Sequence, residues 1–225
     1  MRTKALLCAA SLLAAGVATS MAQSNVYSLN VVGYVNVPLK SGFTLLENPL
    51  DAGDNTVSNV FKNVDYTQNT YAVLTWNGSF FVENDLDQFD GTWQNPTFNA
   101  APGTGFFFKN PGSTITNTFV GNVLQGALSV SVTAQSFNLV GSKVPQDGYV
   151  SDLGLIPTGG DAILLWNGSF FVETDFDEFD STWTPAASSG YIIDSVKGPL
   201  VSNANSFFYK NIHNSATWVR NFTVQ

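Results

Sequence analysis

The chain has 225 residues, 12% of them charged, with a formal net charge of −8 and one histidine. Nucleic-acid binding depends on clustered Lys and Arg that displace counterions from phosphates, and this balance excludes it. The lone cysteine, Cys8, lies in a segment expected to be removed, so no disulfide is available and the fold must rest on its core.

Arg2 and Lys4 precede an apolar run over residues 5–17, followed by Ser20-Met21-Ala22 and then Gln23. That order of charged, apolar and small residues is a secretory signal, with cleavage expected after Ala22. The run is shorter than the roughly 20 residues needed to cross a bilayer, so no membrane span is expected after cleavage. Leu7 stands before Cys8 where a lipoprotein signal needs a small residue. Losing Arg2 and Lys4 takes the charge from −8 to −10.

From Tyr27 to Leu39 the odd positions Tyr27, Leu29, Val31, Val35, Val37 and Leu39 are apolar, while Ser28, Asn30 and Asn36 alternate with them. Period two predicts a strand with one buried face. Asp54 to Asn63 and Asp147 to Leu155 have room for a short helical turn, and outside the signal no long stretch keeps helical spacing. Asn77-Gly78 and Asn167-Gly168 lie between strand-like runs and predict two-residue hairpins, with Trp76 pairing near Ser79 and Trp166 near Ser169. Asp90-Gly91 predicts a turn before Trp93, and Asn110-Pro111-Gly112-Ser113 joins a strand over 105–109 to one over 114–120. Alternation resumes at Leu124, Leu128, Val130, Val132 and Ala134.

The remainder repeats what came before. Leu74 to Trp93 and Leu164 to Trp183 are identical at 15 of 20 positions at an offset of 90. Weaker matches flank them in the same order, 42–46 with 136–140 and 105–110 with 206–211. The expected fold class is all-β: a signal peptide over 1–22, then two repeated antiparallel β units over 23–122 and 123–225. Short strands with regular turns suggest a sandwich-like or open-barrel form. One fused core and two packed domains both fit, with two domains favoured.

Asn30-Val31-Val32-Gly33-Tyr34-Val35-Asn36, the segment Gly42 to Leu50, the Trp-Asn-Gly hairpin, Gly103-Thr104-Gly105-Phe106-Phe107-Phe108 and the closing Trp218 to Phe222 carry a family resemblance. The chain resembles uncharacterised secreted two-repeat β proteins of verrucomicrobial-type bacteria. The resemblance implies export and a two-copy plan, and it supplies no catalytic residues. The second copy departs from it at Gly141-Ser142-Lys143, where the first has Glu47-Asn48-Pro49.

Two features could carry chemistry. Glu83, Asp85, Asp87 and Asp90, with Glu173, Asp175, Asp177, Glu178 and Asp180, hold nine of the 17 acidic residues. On an extended strand Glu83, Asp85 and Asp87 share a face, as do Glu173, Asp175 and Asp177. Hard oxygen donors suit calcium, so Glu83, Asp85, Asp87, Asp90, Glu173, Asp175, Asp177 and Asp180 are the candidate ligands, calcium being the one cofactor suggested. The competing reading is a solvated strand face whose charge blocks edge-to-edge association. The second feature is aromatic: the five tryptophans, Trp218 among them, with Phe80, Phe81, Phe170 and Phe171; of these Trp76, Trp93, Trp166 and Trp183 are the candidate ligand-stacking residues, weighed against ordinary core packing.

No nucleophile–base pair, phosphate loop or metal-type histidine spacing occurs, so an enzyme is not expected. The expected function is a secreted, periplasmic or cell-surface protein with a non-catalytic structural, adhesive or surface-interaction role. Its expected partners are itself or other envelope components. The alternative is a glycan-binding module resembling carbohydrate-binding modules, with or without calcium.

Overall fold

A computed structural model describes residues 31–184 and 190–224. The signal-peptide segment 1–22 and the beginning of the first alternating run lie outside the described residues. The regular structure of the described chain is nearly all β, arranged in several antiparallel sheets, none of them closed. Its one helix, α1, spans Val57–Val60.

In the first half the strands are β1 (Val32–Leu39), β2 (Gly42–Glu47), β3 (Ala72–Trp76), β4 (Phe81–Asp85), β5 (Gly105–Asn110) and β6 (Ile115–Asn122). The second half contains β7 (Gly126–Val132), β8 (Ser136–Val140), β9 (Gly148–Tyr149), β10 (Ala162–Trp166), β11 (Phe171–Asp175), β12 (Ile193–Asp194), β13 (Gly198–Val201), β14 (Phe207–Asn211) and β15 (Ala216–Phe222). One four-stranded sheet runs β2-β5-β3-β4 and another β11-β10-β14-β8, so β8, β14, β10 and β11 take the places of β2, β5, β3 and β4. Two-stranded sheets pair β1 with β6 and β7 with β15. The second half adds a small sheet β12-β13-β9.

Alternation explains the outer pairs. In β1, Val37 and Leu39 turn inward and are buried, with Val35 half-buried, while Tyr34 and Asn36 face out. In β6, Asn117 and Phe119 face the same core. That core also takes Leu46, Val73, Phe106 and Phe108 from the four-stranded sheet, with Phe61 beside α1 and Trp93 from the loop after β4. A second core gathers Val132, Val140, Ile163, Leu165, Phe207, Tyr209, Trp183 and Trp218.

The central strands do not alternate. Phe106, Phe107 and Phe108 are all buried, as are Phe207, Phe208 and Tyr209. A continuous apolar run marks a strand covered on both faces. Phe106 and Phe108 point into their own half's core, and Phe107 points the other way, to Trp166 and Phe171 of the second half at ring separations of 5.1 and 6.0 Å. Phe208 mirrors this, 5.1 Å from Trp76 and 5.9 Å from Phe81. The described residues thus form one compact unit with two cores and a shared aromatic layer between the sheets.

The hairpins differ from the sequence expectation by two residues. Trp76 lies opposite Phe81 and Trp166 opposite Phe171, rather than Ser79 and Ser169. The Asn77 carboxamide oxygen accepts the backbone N–H groups of Ser79 and Phe80, each at 3.0 Å, and Gly78 takes φ 101°. The side chain therefore supplies part of the turn, and the pairing begins after it. Asn167 and Gly168 do the same.

Candidate functional site

The junction between the halves is built reciprocally. Trp76 Nε1 donates to the Phe137 carbonyl at 2.9 Å, and Trp166 Nε1 donates to the Phe43 carbonyl at 3.0 Å. Phe43 and Phe137 pack in turn on Phe107 and Phe208. Each Trp-Asn-Gly hairpin is thereby held by the opposite half. A buried Trp N–H needs an acceptor, and these carbonyls, at the edge strands β2 and β8, supply it.

Backbone bonds cross at the same place. Glu47 N donates to the Ala204 carbonyl at 2.8 Å, and Gly141 N to the Gly103 carbonyl at 3.3 Å. The two halves then part company. Glu47 is fully buried and accepts from Gly103 N at 2.8 Å, Ser142 N at 2.6 Å and Lys143 N at 3.3 Å. A Cβ at Gly141 would lie 2.1 Å from the Glu47 carboxyl carbon. The substitution of Gly141 for a carboxylate in the second copy thus makes room for the first copy's Glu47. Burial pushes the Glu47 carboxyl up from 4.5 to about 7, outweighing the hydrogen bonds that favour its ionised form.

Two grooves flank the aromatic layer. The larger has a volume of about 540 Å³ and is bounded by Asn36 and Lys40 on one side and by Trp166, Asn167, Ser202 and Asn205 on the other. The second, about 410 Å³, lies among Trp76, Asn77, Ser131, Thr133, Ser136 and Asn138. No Asp or Glu lines either one among the described residues. Trp76 and Trp166 are half-buried there, while Asn77 and Asn167 are exposed.

Trp93 and Trp183 sit elsewhere, 5% and 1% exposed within the two cores. Their rings have no open face for a ligand. The sequence grouped these four tryptophans, and the structure brings only Trp76 and Trp166 to the surface. Trp93 and Trp183 are drawn inside because each bridges back to the end of the preceding strand, at Leu86 and Phe176.

The acidic rows are divided among several tasks. Glu83 pairs with Lys109 at 2.6 Å and Glu173 with Lys210 at 3.0 Å. Asp85 accepts from Gln94 at 3.1 Å, and Asp175 is exposed on β11. Asp87 lies past the end of β4, where its carboxylate accepts Phe89 N at 2.7 Å. Asp90 accepts Thr92 N and Oγ1 at 2.9 and 2.7 Å. Asp177 and Asp180 repeat this with Phe179 and Thr182. The hydrogen bonds from Thr92 hold the Asp90 carboxyl below the usual carboxylate range. Among the described residues, no three His, Cys, Asp or Glu side chains stand close enough to share a metal ion.

No protein-family model, curated protein or solved structure matches this chain. Its own two halves are the available comparison. They retain a surface feature of which the sequence pointed to Phe80 and Phe170 but not to Phe89 and Phe179. Phe80 and Phe170 are each 62% exposed, and Phe89 and Phe179 are 86% and 88% exposed. The Asp87 and Asp177 turns hold the latter pair outward. The signal was present in the alignment of the copies, which differ at five of these 20 positions but keep all four phenylalanines.

One buried polar cluster belongs to the second half alone. Tyr209 Oη donates to Asp161 Oδ2, Thr158 N donates to the same carboxylate at 2.8 Å, and Ile212 N to its other oxygen at 3.2 Å. His213 lies 3.9 Å from Asp161 and contacts the Gly159 carbonyl at 2.9 Å. At the offset of the repeat, Asp161 matches Tyr71, whose ring packs on Phe108 in the first core. Asp161 thus ties a loop, a strand end and a tyrosine together where the first half uses an aromatic contact.

Proposed function

We propose that this chain is an exported, non-catalytic surface-interaction protein whose duplicated β units present matching contact surfaces on one body. The observation that carries the reading is the retention of four exposed phenylalanines at equivalent places, with nearly equal exposure in the two halves. A buried Phe side chain is worth about 1.5–3 kcal/mol relative to an exposed one, so folding alone gives no reason to keep these rings outside. Association does, because aromatic anchors dominate binding energy at interfaces. The shared aromatic layer supports the same reading, since it fixes the spacing between the two sets. The signal-like first residues and the resemblance to secreted two-repeat proteins support export and a place in the envelope or outside the cell.

Phe89→Ser with Phe179→Ser in the mature chain tests this. The parent is expected to sediment as concentration-dependent assemblies or to co-sediment with envelope preparations, and the double variant to lose that behaviour. Both rings are solvent-exposed, so stability is expected to change by less than about 0.5 kcal/mol. A parent that stays monomeric and unbound, or a double variant that behaves like the parent, overturns the proposal.

A further inference from the structure

We infer that the groove between the β1–β2 edge and the Trp166-Asn167 hairpin binds a neutral polysaccharide chain. The inference deepens the surface-interaction reading by naming a ligand class, and it rests on that reading. Its starting point is a contrast in charge. The chain carries −8, yet the 540 Å³ groove has no acidic residue among those described along its walls and has Lys40 as its charged side chain. A cationic ligand would find no counterion there. A polyanion would meet the net field of the molecule.

The walls are instead rich in amide and hydroxyl groups. Asn36, Asn167, Ser202 and Asn205 are all exposed, beside the half-buried Trp166 ring. Several of these groups are oriented by bonds that leave one end open. The Asn167 side-chain Oδ1 is engaged by Ser169 N and Phe170 N, which directs the side-chain NH2 group away from the turn. The Asn36 side-chain Oδ1 accepts from Thr118 Oγ1 at 2.7 Å, leaving the side-chain NH2 group as a donor. Trp166 is held by its bond to the Phe43 carbonyl and by Phe107 and Phe171. Fixed amide donors beside an aromatic ring match a ligand made of hydroxyl groups and a weakly apolar ring face. The volume falls within the roughly 300–1,000 Å³ typical of small-ligand sites, enough for a few sugar units of a longer chain.

The groove forms only where the halves meet, since its two sides come from different copies. The Trp76 groove repeats the plan at about 410 Å³ with Asn77 as its exposed asparagine, because Asn138 is buried and bonded at both ends of its amide, and Ser131, Thr133 and Ser136 supply the rest. The Trp166 groove is therefore the assigned site.

Affinity electrophoresis of the mature chain through gels containing soluble β-glucan, xylan, mannan, galactan or dextran, with alginate as a charged comparison, tests the inference. Retardation is expected in at least one neutral gel, with affinity falling at least tenfold in Asn36→Ala/Asn205→Ala and an unchanged melting temperature. Asn205→Ala alone, an exposed side chain, serves if the pair alters folding, with an expected loss of at least threefold. No retardation in any neutral gel, retardation by alginate alone, or undiminished retardation in the Asn205→Ala protein overturns the assignment. The two readings separate cleanly, because sedimentation of Phe89→Ser/Phe179→Ser does not probe the groove.

Discussion

Glu47 is the residue at which the two copies differ most consequentially. Its carboxylate reaches across the junction to the backbone of Ser142 and Lys143 and to Gly103 in its own half, while Arg220 is near enough for their charges to interact. Arg220 is itself buried, donates to Gln146 and lies over Phe222. Because burial raises the Glu47 carboxyl from 4.5 to about 7, the folded protein favours its protonated form. Its contribution to stability is therefore fully present below about pH 4.5 and is lost as pH rises through about 7, by roughly 3 kcal/mol if the unfolded value is ordinary. Glu47→Gln cannot ionise. Urea unfolding of parent and variant between pH 4.5 and 7.5 is expected to show the parent's stability falling relative to the variant's. Parallel curves would remove the assignment.

At the scale of elements, the Asn-Gly turns organise both the hairpins and the groove walls. Asn77→Ala strips the acceptor from Ser79 N and Phe80 N and is expected to cost about 1–2 kcal/mol in urea unfolding, with no change in m. A loss below about 0.3 kcal/mol would mean that Gly78 alone makes the turn. These elements also mark what could be read in the sequence. Alternation located β1 and β7, and the Asn-Gly, Asp-Gly and Asn-Pro-Gly signals located the turns. The register of β3 with β4 was missed because a side chain replaced a backbone partner. The acidic row was read as one extended face, but β4 ends at Asp85, and Asp87 and Asp90 close turns instead. Trp93 and Trp183 bridge to Leu86 and Phe176 seven residues back, a return that the Asp90-Gly91 turn signal marks, but the turn does not say that each ring enters a core. Glu47 left a trace only as a mismatch with Gly141, whose meaning needs the two positions to be neighbours.

The whole molecule depends on the aromatic layer. Eight rings take part, Phe43, Trp76, Phe81 and Phe107 with Phe137, Trp166, Phe171 and Phe208, and several contacts join rings of different halves. Favourable aromatic pairs contribute about 0.5–1.5 kcal/mol each beyond the area they bury, so several together are enough to make separate opening of the halves costly. The Phe106-Phe107-Phe108 and Phe207-Phe208-Tyr209 runs are the sequence counterpart of this layer, each supplying one core and the junction at once. A rigid junction is what gives the paired phenylalanines and the groove between copies a fixed geometry.

Hydrogen–deuterium exchange of Phe107→Ala against the parent tests that coupling most directly. Removing a buried Phe typically costs about 3–5 kcal/mol, and the lost ring contacts Trp166 and Phe171 as well as its own half. The expected result is faster exchange in β10, β11 and β14 as well as in β2, β3 and β5. Exchange that quickens in the first half alone, with β10, β11 and β14 protected as in the parent, would contradict a single body built on a shared aromatic layer.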